Sequence, residues 1–242
     1  REPARRGRGV SEALIVARGL EKRFGPVRAL RGLDLDVHSG STLAVIGPNG
    51  AGKSTLLRLL SGLTRPSGGA LRVGREERDR RSRRGRVGLI AHASFLYPTL
   101  TARENLILAG RLYGVANPAE RANALLEEQE LTGVAERRAG GFSRGMSQRL
   151  SIARGLVHDP EIVLLDEPFS GLDPRAAARL AERLGALRTA HRTVVLVTHD
   201  LARAAELADE ILLLVRGESV ALPPQAGRDA ASLEQHYREA VE

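Results

Sequence analysis

The run Gly47-Pro48-Asn49-Gly50-Ala51-Gly52-Lys53-Ser54-Thr55 holds the residues best placed to do chemistry. It fits G-x-x-x-x-G-K-[ST], the spacing of a phosphate-binding loop. Glycines let successive backbone N–H groups turn toward phosphate oxygens, and the N-terminus of a following helix adds a favourable dipole. In that geometry Lys53 bridges the β- and γ-phosphates of a nucleotide, and the Ser54 hydroxyl holds Mg²⁺. The loop needs a buried strand before it and a helix after it. The apolar run Thr42–Ile46 predicts the strand, and the apolar spacing from Thr55 to Leu63 predicts the helix. A plain glycine-rich turn before a core helix is the alternative, but such a turn has no need of Lys and Ser in register.

Two further strand ends carry polar residues. The apolar segment Ile162–Leu165 runs into Asp166 and Glu167, then Pro168. A carboxylate at a strand tip beside a phosphate loop can hold Mg²⁺ through water, which is the role read for Asp166. Strand alternation points Glu167 elsewhere, where it can polarise a water for in-line attack on a γ-phosphate. Two solvated acids opening a turn would be the ordinary reading without the loop upstream. The run Val195–Thr198 repeats the design and delivers His199, a candidate donor to the γ-phosphate, and Asp200, which also suits the cap of the next helix.

Composition bounds the rest. A chain of 242 residues that is 42% hydrophobic can bury a substantial core, and with 3% aromatic residues that core must be aliphatic. The absence of Cys excludes disulfides and thiolate metal sites and suits a reducing compartment. The longest apolar runs, such as Ile211–Val215, fall far short of the ~20 residues that cross a bilayer, and no secretory segment stands near Arg1. The chain opens on Arg rather than Met, which leaves its true start open. The net charge of +8 comes almost wholly from Arg, since Lys occurs only at positions 22 and 53. No aromatic residues interleave with the basic runs as a nucleic-acid stacking surface would need, so no specific nucleic acid is expected. Arg1 to Arg8 reads as a solvated tail and Arg75 to Arg86 as an exposed charged loop.

The pattern along the chain alternates strands and helices around the loop. Leu14–Ala17, Val27–Leu30 and Leu33–Val37 predict short strands, with Gly32 and Gly40 as punctuation. Ala70–Val73 and Val87–Ala91 predict strands either side of the charged loop. Thr101 and Glu104 have capping-box spacing, Asn117-Pro118 marks a second helix start, and Met146–Val157 continues a mostly helical block over about 97–157. Helices over Pro174–Arg188 and Leu201–Leu207 flank a strand over Thr193–Val197. A hairpin over Ile211–Val215 and Ser219–Leu222 precedes a terminal helix over Ser232–Val241.

The run Phe142-Ser143-Arg144-Gly145-Met146, with Gln148 to Arg154 after it, resembles the signature of ATP-binding cassette ATPases, ordinarily L-S-G-G-Q. Ser170-Gly171-Leu172-Asp173 resembles that family's dimer-contact loop. The ordered motifs span about residues 14–221. The resemblance implies an α/β fold: a P-loop NTPase core with a mixed central sheet, an N-terminal antiparallel β subdomain and a helical signature subdomain. It divides the chain into a basic flexible tail (1–12), the ATPase domain (13–222) and a C-terminal helical tail (223–242). ATP with Mg²⁺ would lie between two subunits, a homodimer or pseudo-symmetric pair. The resemblance gives residues 47–55 the phosphates and Phe24 the adenine, with Ser143, Gly145 and Asp173 meeting nucleotide across the pair. Glu167, His199 and Lys53 would carry catalysis; Ser54, Asp166 and His92 would stand near the metal, His92 also near nucleotide. As simpler roles, Ser143 and Asp173 could cap the helices that follow them, and Phe24 could be an apolar anchor.

The chain departs from the family at Arg144 and Met146, which replace Gly and Gln of the signature, and at His92, which stands where Gln is usual. A Cβ at 144 would restrict the backbone if a positive φ were needed there. The segment Gly88–His92 with Phe95–Leu106 is similar to the ATPase subunit of the haem exporter of cytochrome c maturation; related multidrug and polysaccharide exporter subunits share much of it. A transmembrane permease partner docked near residues 92–106, with the chain peripheral on the cytoplasmic face of the membrane, is what the resemblance implies. A soluble cassette acting on nucleic acid or ribosomes, and an ATP-holding regulatory module, are the rival expectations.

Overall fold

Twelve-residue strands Ala13–Phe24 (β1) and Val27–His38 (β2) pair antiparallel through a turn at Gly25-Pro26. The computed structural model describes residues 12–75, 85–91, 94–189, 192–223 and 229–241. Most of the predicted basic tail, most of the charged loop and His92 lie outside the described residues. The two short strands expected on either side of Gly32 are one strand, β2. Gly32 takes φ 93° and is the extra residue of a bulge: Leu20 pairs Leu33 while Glu21 pairs Arg31. A glycine absorbs such a bulge without ending the strand, because it has no Cβ to clash at positive φ. Gly68–Val73 (β4) pairs with the other edge of β1, completing a three-stranded antiparallel sheet.

The larger sheet has the order β5-β6-β7-β3-β8-β9. Thr42–Ile46 (β3), Val87–Ile90 (β5), Ile162–Asp166 (β6), Thr193–Val197 (β7) and Glu210–Val215 (β8) run parallel, and Glu218–Val220 (β9) turns back antiparallel on β8. The sheet is therefore mixed. Every residue of β3 and β7 is buried, as befits strands covered on both faces. The strands β6, β7 and β3 are neighbours, so the residues just past Asp166, Val197 and Ile46 emerge together at one edge of the sheet. Parallel sheets place ligands at the carboxyl ends of such strands.

The helix after β3, Lys53–Leu60 (α1), packs Leu56, Leu59 and Leu60 into the main core. The helical block comprises Ala102–Tyr113 (α2), Pro118–Glu128 (α3) and Arg144–Leu156 (α4). Its own core gathers Leu106, Leu125, Leu126, Leu131 and Leu150. Thr101 caps α2 in a full capping box: its side chain accepts from the Glu104 N–H at 3.1 Å, and its N–H donates to Glu104 Oε2 at 2.8 Å. Asn117 makes no side-chain cap on α3; Pro118 alone starts that helix, since proline presets φ and has no N–H to satisfy. The remaining helices are Pro174–Thr189 (α5), Leu201–Leu207 (α6) and Ala230–Val241 (α7), the last packing Leu233 beside Leu213 and Ala204.

Two contacts tie α4 to β5. A Cβ on Gly88 would stand 2.3 Å from the Gly155 carbonyl oxygen and 2.8 Å from Pro160 Cγ, so strand and helix meet backbone to backbone. Just beyond α4, His158 stacks on Tyr113 with ring centroids 3.8 Å apart and donates from Nε2 to the Val87 carbonyl at 3.2 Å. Its Nδ1 is buried with no partner. That arrangement accepts the neutral ring and rejects a second N–H; burial, and the nearby positive charge of Arg154, push the His158 pKa down to about 4.

Gly88→Ala should cost about 1–3 kcal/mol of stability, as overpacking against backbone does; an unchanged urea midpoint would show that β5 and α4 can separate freely. Between the ordinary histidine pKa of 6.5 and about 4, the unfolded chain binds a proton that the folded chain refuses at His158. Stability should accordingly fall as pH drops through that window. His158→Phe should reduce the slope, read from urea midpoints of both proteins at pH 7 and pH 5.

Candidate functional site

The loop between β3 and α1 is shaped by close approaches that only glycine permits. Gly47 has φ 149°, and a Cβ there would lie 2.0 Å from the Leu214 carbonyl oxygen; Gly52 has φ 108°, and its Cβ would lie 2.5 Å from the Ala29 carbonyl oxygen. The loop is tied down from below, since the Gly217 N–H donates to the Ala51 carbonyl at 3.0 Å and the Arg31 N–H to the Gly217 carbonyl at 2.9 Å. Gly52 gives α1 no side-chain cap. The first-turn N–H groups of Lys53, Ser54 and Thr55 therefore have no intrahelical acceptor, and the Ser54 side chain sits on an exposed residue. Pro48, Asn49 and Gly50 form the rim of the curl, Asn49 and Gly50 exposed.

Lys53 is 9% exposed and donates from Nζ to the carbonyls of Gly47 at 2.6 Å and Pro48 at 2.9 Å. Burial lowers its pKa from the ordinary lysine value; the negative charges of Glu167 and Asp166 work the other way. Both carboxylates are thus close enough to be felt by the ammonium. The result is one cation folded over the loop and within electrostatic reach of two acids at the end of β6, an arrangement suited to a phosphate chain and a hard cation.

Asp166 ends β6 in register with Val197 of β7. Glu167 follows in the left-handed region at φ 51°, its N–H donating to the Val197 carbonyl at 2.9 Å. Its divergence from Asp166 thus comes from this turn, not from strand alternation as the sequence suggested. A left-handed conformation at a residue with a Cβ is strained by about 1–3 kcal/mol and persists only where its surroundings hold it. Here the surroundings are the end of β7: Glu167 Oε2 accepts from the His199 N–H at 3.3 Å and pairs with His199 Nδ1 at 2.7 Å. The carboxylate is mostly covered and the imidazole mostly open, at 21% and 72% side-chain exposure. Glu167 is oriented and His199 is accessible, the pairing a positioned general base requires. Thr198, buried below them, accepts from the Asp200 N–H at 3.0 Å, and Asp200 caps α6 by accepting from the Arg203 N–H at 3.0 Å. The capping role holds for Asp200.

The other expected residues fall elsewhere. Ser143 caps α4, accepting from the Met146 N–H at 3.3 Å, and Asp173 accepts from the Ala176 N–H at 2.9 Å. Both simpler roles are therefore real. Ser143, Gly145 and Asp173 line a cleft of about 410 Å³ to which residues 47–55 contribute nothing. Arg144 opens α4 without a positive φ, so the backbone restriction feared there does not arise. Phe24 lies at the end of β1, 46% exposed, with Lys22 Nζ 4.8 Å from its ring centroid. The structure brings Lys53, Asp166, Glu167 and His199 together; it keeps Ser143, Gly145 and Asp173 as a second group and Phe24 as a third. Among the described residues no cluster of three or more His, Cys, Asp or Glu could chelate a metal on its own. The donors fit Mg²⁺ instead, which takes a hydroxyl, one carboxylate, waters and phosphate oxygens.

Leu63, Phe95, Tyr97, Leu112 and Tyr113 are all at least 40% exposed. They line a groove of about 670 Å³ beside α2. Arg154 lies at its floor, donating to the Leu89 carbonyl at 2.8 Å, with its guanidinium carbon 5.4 Å from the Phe95 ring centroid. Phe95 and Tyr97 belong to the segment singled out in the sequence; Leu63 and Leu112 gave no local signal beyond being apolar residues next to helix ends.

The profile of the ABC transporter family matches residues 30–170. A Nod factor export ATP-binding protein I of Burkholderia lata is 39% identical over 213 residues, which is 86% of this chain and 70% of that protein. A daunorubicin resistance ATP-binding protein of Streptomyces coeruleorubidus is 39% identical over 216 residues, 88% of this chain and 68% of that one. A solved ATP-binding subunit of an ABC transporter superposes with a TM-score of 0.83 at 31% identity, covering 93% of this chain and 98% of its own. A dimeric ATP-binding cassette in a post-hydrolysis state with ADP and Pi gives 0.76 at 28% identity, covering 86% and 97%. None of these relatives is named for haem.

Lys53→Ala should weaken binding of a magnesium nucleoside triphosphate about 10- to 100-fold, the share of a charge-assisted hydrogen bond. Titration calorimetry checks it; an unchanged dissociation constant would remove the loop from the site.

Proposed function

The chain belongs to the ABC transporter family, and on that premise we propose that it is the ATP-hydrolysing subunit of a membrane exporter, acting as a pair of cassettes on a separate transmembrane permease. The observation that carries hydrolysis is the Glu167–His199 pair at the tips of β6 and β7, opposite the Lys53 ammonium. Residues 47–55 hold the triphosphate through backbone N–H groups and Lys53. Ser54 and Asp166 would hold Mg²⁺, which supplies charge neutralisation on the phosphates when bound. Glu167 orients a water for in-line attack, and His199 keeps that carboxylate in place while its exposed ring faces the γ-phosphate. Phosphoryl transfer asks for little beyond position and charge, and this constellation offers both.

The pair is supported by the split of the site. Ser143 and Asp173 stand in a cleft apart from the chain's own phosphate loop, so they can serve nucleotide only on another copy. A cassette relative solved as a dimer in a post-hydrolysis state has the same fold. The permease is supported by the exposed apolar groove of Leu63, Phe95, Tyr97, Leu112 and Tyr113, a surface of the kind that marks a protein partner. Among the described residues no helix is long and apolar enough to cross a membrane, so the chain would sit at the membrane's cytoplasmic face through that partner. Export rather than import follows the relatives named for Nod factor export and daunorubicin resistance. The narrower haem reading rests on residues 88–106 alone and gains nothing from them. A soluble nucleic-acid cassette is less favoured, because its basic residues lack interleaved aromatics; a non-hydrolysing module is less favoured, because Glu167 and His199 are both in place.

Glu167→Gln should cut phosphate release by about 10²–10⁴-fold, the usual share of a general base, and trap an ATP-bound dimer visible by size-exclusion chromatography. A variant that stays monomeric at saturating ATP would exclude the paired mechanism. Leu112→Asp should abolish copurification of the membrane partner while leaving basal phosphate release intact.

A further inference from the structure

The cleft beside the signature carries more positive charge than the single chain neutralises. Four arginines line it: Arg144, Arg149, Arg179 and Arg183. Glu130 pairs with two of them, at 2.8 Å from Arg183 and 3.6 Å from Arg149. Arg183 also donates to the Gln129 side chain at 2.9 Å, and Arg149 to the Gln129 carbonyl at 3.0 Å. Asp173 is the one acid among the residues that line the cleft, and its Oδ1 accepts from the Ala176 N–H. The local field is felt at Arg149, whose pKa is lowered first by burial and then by the charge of Arg183, with Glu130 working the other way and Arg179 adding to the lowering.

Arg144 differs from its neighbours. Among the described residues it forms no ion pair and no hydrogen bond. Its guanidinium lies over the bare Cα of Gly171, where a Cβ would come within 1.9 Å of Nη1 and 2.8 Å of Cζ. Gly171 itself is in the left-handed region at φ 69°. A guanidinium with five N–H donors therefore rests against Gly171 without hydrogen-bonding to it, one residue from Ser143.

We propose that Arg144 is a phosphate-binding residue supplied in trans: when two copies close, its guanidinium leaves Gly171 and meets the terminal phosphate of the ATP held by the other copy's phosphate loop. This rests on the paired-cassette reading above. A glycine at this position contributes only backbone; an arginine adds a cation that can donate two parallel hydrogen bonds to phosphate oxygens. The contact requires the γ-phosphate and is lost on its release, so it makes closure more selective for ATP over ADP. The bare Gly171 gives the side chain a resting place that costs no ion pair to leave.

The test compares Glu167→Gln with three double variants, Glu167→Gln combined with Arg144→Ala, Arg144→Gln or Arg144→Lys. The readout is the ATP concentration at half-dimerisation, from light scattering with Mg²⁺ present. Thermal melts establish that each variant is folded, and ADP affinity of the monomer reports its own phosphate loop. Arg144→Ala and Arg144→Gln should each raise the half-dimerisation ATP concentration about 10- to 100-fold, Arg144→Lys less, with ADP affinity unchanged in all. Arg144→Gln matching the parent would overturn the proposal, because glutamine can still lie across Gly171 without carrying charge. If Glu167→Gln forms no ATP-dependent dimer at all, the paired reading fails and this inference falls with it; a parent that dimerises while Arg144→Ala changes nothing refutes Arg144 alone.

Discussion

Everything at the candidate site depends on a backbone curl with no room for side chains. At Gly47 the chain passes so close to the Leu214 carbonyl that any Cβ would overlap it, and at Gly52 the Ala29 carbonyl imposes the same limit. These two contacts come from different places, the strand β8 beside β3 and the strand β2 of the smaller sheet. They fix the tight curl of the loop, in which the Ala51 N–H donates to the Pro48 carbonyl at 3.2 Å. With the N–H groups of Lys53, Ser54 and Thr55 lacking intrahelical acceptors and the Lys53 ammonium folded over the Gly47 and Pro48 carbonyls, the start of α1 gathers positive partial charge. The negative charges of Asp166 and Glu167 offset part of that positive charge, and an incoming phosphate chain with its cation would replace one set of compensations by another.

The second constraint is the joint between neighbouring strands. Glu167 is held out of the strand direction by β7: the Val197 carbonyl takes its N–H, and His199 pairs with its carboxylate. Moving either strand tip would let the left-handed turn relax. The buried ladder of β6, β7 and β3 makes such movement expensive, since every residue of β3 and β7 is buried. Rigid aliphatic packing thus holds the left-handed backbone of Glu167, and with it the carboxylate, at a fixed place.

The third feature is incompleteness. One chain presents a loop with its acids at one site and, apart from it, a cleft with Ser143, Asp173 and surplus arginine charge. Positive charge without acceptors and N–H groups without partners are both more stable once an anion arrives. The α4 helix that begins in this cleft is also the helix whose Gly155 meets β5 backbone to backbone and whose Arg154 floors the apolar groove. The signature cleft and the apolar groove therefore lie along one short helix, α4.

The local elements of the site were legible in the sequence. The loop 47–55, the strand feeding it, the acids after Leu165 and the capping box at Thr101 are each set by neighbours within a few residues, and each stands where the pattern put it. The bulge that makes β2 a single strand was not legible, because a glycine that ends a strand and one that bulges within it look alike until a partner strand fixes the register. The same holds for Asn117, whose cap proved dispensable beside Pro118. The orientation of Glu167, the pairing with His199, the buried neutral ring of His158 and the position of Arg144 over Gly171 involve residues from about 27 to 71 positions apart. Short-range spacing determined which chemical groups are available; the tertiary structure alone decided which of them meet, since contacts between distant segments depend on how whole strands and helices pack.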